Sequence, residues 1–224
     1  NMKNTFIPKV KICCINSKEE ARLAVKYGAS ALGLVGNMPS GPGIIDDALI
    51  REIAQYTPPP IATFLLTSET DTAAIMAHYK KTQTTTIQIV DTLAKGTYQQ
   101  IRDSLPHVKL VQVIHVIDEQ SVKEAIEISQ QVDAILLDSG NPNLAIKELG
   151  GTGRTHNWEL SKQIRAAIDI PLFLAGGLKA SNVRAAIETV QPFGLDLCSG
   201  VRTNGHLDEH KLGAFFEAVN ETNC

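Results

Sequence analysis

The stretch PLFLAGGLKASNVRAAIETVQPFGLDLCSGV (171–201) decides how this chain folds. A short apolar run, PLFLA, ends in two glycines. A stretch follows in which Val183, Ile187 and Val190 fall at i, i+4 and i+7, one face of a helix. Ser181 stands where it can cap the start of that helix, and a second short run, GLDLCS, comes after it. Two strands separated by a single helix pair in parallel, because a parallel neighbour requires a crossover.

Outward from this segment the unit repeats. The strands read as VKICCI (10–15), ALGLV (31–35), IATFLLT (61–67), TTIQIV (85–90), VKLVQVIHV (108–116), DAILLD (133–138), PLFLA (171–175) and GLDLCS (194–199). In the fifth unit Val122, Ala125, Ile126 and Ser129 form a helical stripe, with Asp118 placed to cap it. Eight such units in 224 residues fit a single (β/α)8 barrel domain spanning 1–224. An open doubly wound sheet fits less well, since no GxGxxG follows the first strand. The Pro58–Pro60 run ends the second helix, and no linker divides the chain.

Composition excludes several classes of partner. A net charge of −3 offers no reason to expect nucleic acid or an anionic membrane. No apolar run reaches the ~18 residues that span a bilayer, and the N-terminus lacks a secretory apolar core. The four cysteines, at 13, 14, 198 and 224, form no CxxC pair, so a reducing cytoplasm is expected. No His, Cys, Asp or Glu cluster has metal-ligand spacing, and GxSxG and HExxH are absent. Neither metal nor cofactor is expected. His78, His107, His206 and His210 fall on helices or connections, and His115, near the end of strand five, reads as structural.

The chemistry gathers at strand ends, where barrel active sites lie. Alternation on strand one puts Lys11, Cys13 and Ile15 on one face and Val10, Ile12 and Cys14 on the other. The first face turns a lysine and a cysteine into the barrel, where an ammonium stabilises a thiolate. The same pattern also describes a small buried Cys beside a snorkelling Lys. Asp138 ends strand six and reads either as a general acid or as a partner for the following loop. That loop holds GGTGRT (150–155), whose Gly153 and Arg154 suit an anion. Gly176, Gly177, Ser199 and Gly200 occur together at the ends of strands seven and eight, where many barrels seat a phosphate. Two long connections, 36–44 and 139–157, leave the same face.

Taken together, these segments resemble the phosphoribosylanthranilate isomerase family. VKICCIN (10–16) is similar to that family's VKICGIT, and YGASALGLV (27–35) to its AGADALGFV. DAILLDS, GGTGRTHNW, PLFLAGGL, SNV and GLDLCSGV follow in kind and order. The resemblance implies a cofactor-free Amadori rearrangement of a phosphoribosyl amine, with Cys13 as base and Asp138 as acid. Lys11, Gln88, Gly153, Arg154, Gly176, Gly177, Ser199 and Gly200 are the expected substrate-binding residues.

Three departures qualify it. MPSGPGI (38–44) stands where the family has SPR, so no Arg follows strand two. QIVD replaces QLHG after strand four, keeping Gln88 but setting Val90 and Asp91 where His and Gly belong. CIN replaces GIT. The alternatives are an isomerase of another phosphosugar amine and a silent barrel that binds a phosphorylated ligand. The expected partner is a small phosphorylated substrate, on a monomer or homodimer. With Cys14 on the outer face, Cys14→Ser is expected to leave turnover nearly intact.

Overall fold

The computed structural model of the chain describes residues 7–139, 143, 146, 149–151 and 157–221. Eight parallel strands close into a barrel in sequential order. They are β1 (Lys9–Ile12), β2 (Ala31–Val35), β3 (Ala62–Thr67), β4 (Thr86–Ile89), β5 (Lys109–His115), β6 (Ala134–Asp138), β7 (Leu172–Leu174) and β8 (Gly194–Leu197). Helices α1 (Lys18–Tyr27), α2 (Asp47–Tyr56), α3 (Thr72–Thr82), α4 (Tyr98–Ser104), α5 (Glu119–Ser129), α6 (Trp158–Ala167), α7 (Val183–Val190) and α8 (Glu209–Glu221) cover it. A 3-10 turn (Ser199–Val201) and a small hairpin of β9 (Arg202–Thr203) and β10 (His206–Leu207) join β8 to α8.

The period-two pattern of the strands sorts their side chains into two cores. Ile12, Leu32, Leu65, Ile87, Ile135 and Leu195 point outward and pack beneath the helices. Ala31, Phe64, Val111, Leu136 and Phe173 point inward and fill the barrel. Each buried aliphatic side chain contributes about 1.5–3 kcal/mol, so both layers are needed to hold the barrel closed. The inner layer interdigitates large and small residues. Phe173 stacks edge-on against Phe64 and Phe193, with centroids 5.9 and 5.8 Å apart, and a β-carbon on Gly194 would run into the Phe173 ring. Gly33 leaves room for Cys13, whose sulfur would lie 2.5 Å from a β-carbon added there.

Three local expectations need correction. Strand one ends at Ile12, because Cys14 adopts φ 62° and breaks the alternation. Ile15 consequently joins the outer core, while Cys13 and Cys14 both join the inner one. Ser181 does not cap α7. The N-cap position belongs to Asn182, whose side chain holds the preceding loop instead, donating to the Gly177 carbonyl (2.8 Å) and accepting from the Lys179 N–H (2.9 Å). On α5 the most buried stripe is Ser121, Ala125 and Ser129, small residues that let the helix sit close, and Ile126 is exposed. Asp118 caps α5 as read, accepting from the Gln120 N–H, and Val183, Ile187 and Val190 are buried on α7.

Candidate active site

The C-terminal ends of the strands surround a cavity of about 720 Å³, part of it open to solvent. The turn just after β1 delivers Cys13 and Cys14 to it, β4 delivers Gln88, β6 Asp138 and β8 Asp196. Met38, Ser40, Gly41 and Pro42 line it from the connection after β2, and Gly150 and Gly151 from the one after β6. Gly176, Gly177, Ser199 and Gly200 line the rim after β7 and β8. Seven of the residues singled out by sequence, namely Cys13, Gln88, Asp138 and these last four, thus share one space. Lys11 does not reach it, and Gly153 and Arg154 lie outside the described residues.

Lys11 lies below the cavity floor, fully buried, with Nζ 2.9 Å from Asp196 Oδ1 and 5.2 Å from the centroid of Phe64. The pair is a consequence of register: Lys11 stands opposite Asp196 across the β1–β8 seam, and both side chains turn inward. Burial works against the ammonium, but Asp196 and the nearby Cys13 outweigh it, so the Lys11 pKa moves up and the charge is retained. Lys11 therefore acts on the cavity through Asp196 and through its field at Cys13.

The two proton-transfer candidates are pushed in opposite directions. The Cys13 thiol moves down: a hydrogen bond from Cys14 favours the thiolate, burial opposes it, and Lys11 favours it again. The Asp138 carboxyl moves up, because burial disfavours its charge more than the Ser139 N–H (2.8 Å) and the nearby His115 support it. The shifts favour the neutral acid and the ionised thiol, against the order these groups have side by side in water. That inversion is what a site needing one acid and one base requires.

Glycines shape the opposite rim. Gly176 and Gly177 both adopt positive φ, 96° and 67°, where a β-carbon is disfavoured. A β-carbon on Gly200 would collide with the Leu178 carbonyl, so the loops after β7 and β8 meet only because Gly200 has no side chain. Asn182 keeps the first of these loops in place.

The strand-four departures are absorbed into the wall. Val90 packs in the inner core, and its carbonyl lies 2.9 Å from His115 Nε2. Only one ring nitrogen of His115 is satisfied this way: its Nδ1 is buried with no hydrogen-bond partner, so the expected satisfied histidine is met in half. Asp91 accepts from the Thr92 N–H (2.8 Å), and its carbonyl accepts from Gln112 Nε2 (2.9 Å). Gln88 is buried with Oε1 unpartnered, so the retained residue of that motif has an acceptor to spare.

Sequence reasoning passed over Asp196, Asn182 and Arg202, and put Cys14 on the wrong face. Asp196 was within reach of it, since alternation over the run read as strand eight (194–199) turns Gly194 and Asp196 to one face, as it does Lys11 and Cys13 in the run 10–15. Arg202 had no such signal. It reaches from β9 to bond the carbonyls of Cys13 (3.2 Å) and Cys14 (2.8 Å) while paired with Glu20 (2.9 and 3.0 Å).

Fold and site together define a (β/α)8 barrel whose mouth sets an ionisable thiol and a protonatable carboxyl beside a glycine-lined rim. The chain matches the model of the N-(5'-phosphoribosyl)anthranilate isomerase family over residues 10–218 and belongs to that family; it is an isomerase of the aldose–ketose type. It is 33% identical to N-(5'-phosphoribosyl)anthranilate isomerase 2 of Methanosarcina mazei, over 91% of this chain and 90% of that one. The phosphoribosyl anthranilate isomerase of Thermotoga maritima superposes with a TM-score of 0.78 at 27% identity, covering 96% of this chain and all of that one. A phosphoribosyl anthranilate isomerase solved in complex with reduced 1-(o-carboxyphenylamino)-1-deoxyribulose 5-phosphate gives 0.76 at 25% identity, with the same coverage.

Proposed function

We propose that the chain carries out the Amadori rearrangement of N-(5-phosphoribosyl)anthranilate, with Asp138 as general acid and Cys13 as general base. The convergence of these two residues on one cavity, with pKa values pushed toward each other, carries the reading. Asp138, protonated, gives its proton to the furanose ring oxygen, and the ring opens to an iminium at C1. The Cys13 thiolate takes the proton from C2, and the electron pair of that C–H bond moves toward nitrogen to give an enolamine. Tautomerisation of the enolamine yields the 1-amino-1-deoxyketose. No electrons leave the substrate, so no redox cofactor is called for.

The phosphate belongs at Gly176, Gly177, Ser199 and Gly200, where backbone N–H groups and a hydroxyl can approach an anion without a side chain between. Gln88 Oε1 is an acceptor for a hydroxyl or amine of the substrate. By sequence, Arg154 is the nearest candidate for the cation that loop two lacks. A second reading has one observation in its favour. The described lining residues include no Lys, Arg or His, and Met38 and Pro42 occupy the rim after β2. An aglycone without a carboxylate would lose less there than anthranilate, whose charge-assisted pair is worth about 1.5–3 kcal/mol.

A reducing cytoplasmic setting suits a base that works as a thiolate, and Cys13, Cys14 and Cys198 are all free thiols. Among the described residues no helix is long and apolar enough to cross a membrane.

The test follows phosphoribosylanthranilate by its fluorescence. Wild type consumes it, and Asp138→Asn and Cys13→Ser each lower kcat by at least about 100-fold, the scale of a lost acid or base. A folded wild type that binds inorganic phosphate but leaves this compound untouched refutes the anthranilate reading and directs attention to other phosphoribosyl amines.

A further inference from the structure

We infer that Cys14 is a positioning residue for the base: its thiol opens onto the same cavity as Cys13 and turns its S–H to the Cys13 sulfur when that sulfur ionises. This rests on the reading of Cys13 as base.

The geometry begins with the backbone. In an extended strand, neighbours point to opposite faces, and Cys14 would lie under the helices. At φ 62° it instead turns inward and lines the cavity with Cys13. A β-carbon disfavours this left-handed conformation, so something must hold it. Arg202, anchored on Glu20, grips the carbonyls on both sides of the turn, and the Ile15 N–H donates to the Gly33 carbonyl just beyond it (3.1 Å). The connection after β2 then closes over the side chain. Gly43 has φ 84°, and a β-carbon there would come within 2.6 Å of that of Cys14. The related family motif has glycine where Cys14 stands, so this chain has placed a thiol in a position that asks for none.

A thiol has one hydrogen to give. In the neutral site the Cys14 S–H points at the Pro42 carbonyl, a long contact of 3.8 Å. A thiolate on Cys13 is a far stronger acceptor than a carbonyl at that distance, because charge-assisted hydrogen bonds are about twice as strong as neutral ones. The hydrogen therefore moves to Cys13 on ionisation. Other charges around the pair come from several elements: Lys11 on β1, Asp196 on β8, Asp138 on β6, and Arg202 with Glu20 behind the turn. Cys198 lines the same cavity and raises the Cys14 pKa together with Cys13, which keeps Cys14 in its donor form. Burial limits water as a competing donor to the Cys13 sulfur.

The experiment reads Cys13 ionisation directly, without substrate. The rate of alkylation by iodoacetamide, mapped to Cys13 by mass spectrometry, is measured against pH for wild type, Cys14→Gly and Cys14→Ser. Cys14→Gly suits the left-handed backbone and removes the donor, so the midpoint should rise by about one pH unit. Thiolate at neutral pH then falls roughly tenfold, and the rising limb of kcat/KM moves with it. Cys14→Ser restores a donor and should bring the midpoint back toward wild type, which a merely structural role would not do. Equal midpoints in wild type and Cys14→Gly, both folded by circular dichroism, overturn the inference. If the midpoints shift but wild type is inactive on phosphoribosylanthranilate, the thiol pairing stands and the proposed substrate fails.

Discussion

Asp138 is held in a form that costs the fold something. Burial raises its carboxyl pKa, so the native state binds its proton more tightly than the unfolded chain does. Stability from this group is greatest below the ordinary Asp pKa, falls as pH rises through the raised one, and stays reduced above it. Asp138→Asn keeps an acceptor for the Ser139 N–H and removes the charge. Its melting temperature should therefore exceed that of wild type at pH 8, with the gap closing toward pH 4, while turnover is lost. A lower melting temperature at pH 8 would show that the carboxylate is supported better than its burial implies. At this scale the sequence was legible where a residue's role follows from strand alternation. Lys11 and Cys13 lie inside, as read, and Asp138 faces the cavity. Cys14 was misread because alternation assumes extended backbone, and a left-handed residue reverses its own side chain. The expectation that Cys14→Ser would be silent because Cys14 lies outside the barrel loses its basis. The serine variant is now informative as a replacement donor.

Elements tell the same story on a longer range. Eight strands and their intervening helices were readable because each buries a continuous outward stripe and a separate inward one. Boundaries were less so, since helix α7 starts without its expected Ser181 cap and β1 stops three residues short. What positions the proposed base, Cys13, is the fit of β1 against β2. Gly33 lies where a β-carbon would sit 2.5 Å from the Cys13 sulfur and 3.0 Å from its α-carbon, the second being backbone that cannot swing away. Gly33→Ala should cost about 1–3 kcal/mol, the usual range for overpacking a core, seen as a lower denaturant midpoint. It should lower kcat by more than the loss of folded protein explains, because the displaced group is the proposed base. An alanine variant with wild-type kcat per folded molecule would place the base elsewhere. Arg202 supports the same seam from the far end of the chain, and no local pattern announces such a long-range clamp.

The whole molecule divides its labour along the barrel axis. The lower barrel is filled with Phe64, Phe173 and Phe193, while the mouth holds the cysteines, both aspartates and the glycine rim. Such a mouth is costly at Asp138: Asp196 is paired with Lys11 beneath the floor, whereas the described lining offers Asp138 no cation. A dianion seated on the glycine rim would be approached by backbone N–H groups with no side chain between, and it would bind the folded state alone. By linkage, phosphate at about 100 times its dissociation constant should add roughly 2.7 kcal/mol to unfolding, whatever the eventual substrate. Wild type should accordingly melt higher in phosphate than in chloride of equal ionic strength, and Ser199→Ala should reduce that increment while leaving the melting temperature in chloride close to wild type. Sulfate at matched ionic strength should act like phosphate if the rim reads a tetrahedral anion. If chloride protects equally, the glycines at the ends of β7 and β8 are there to let two loops touch, and the phosphate of the substrate is held elsewhere.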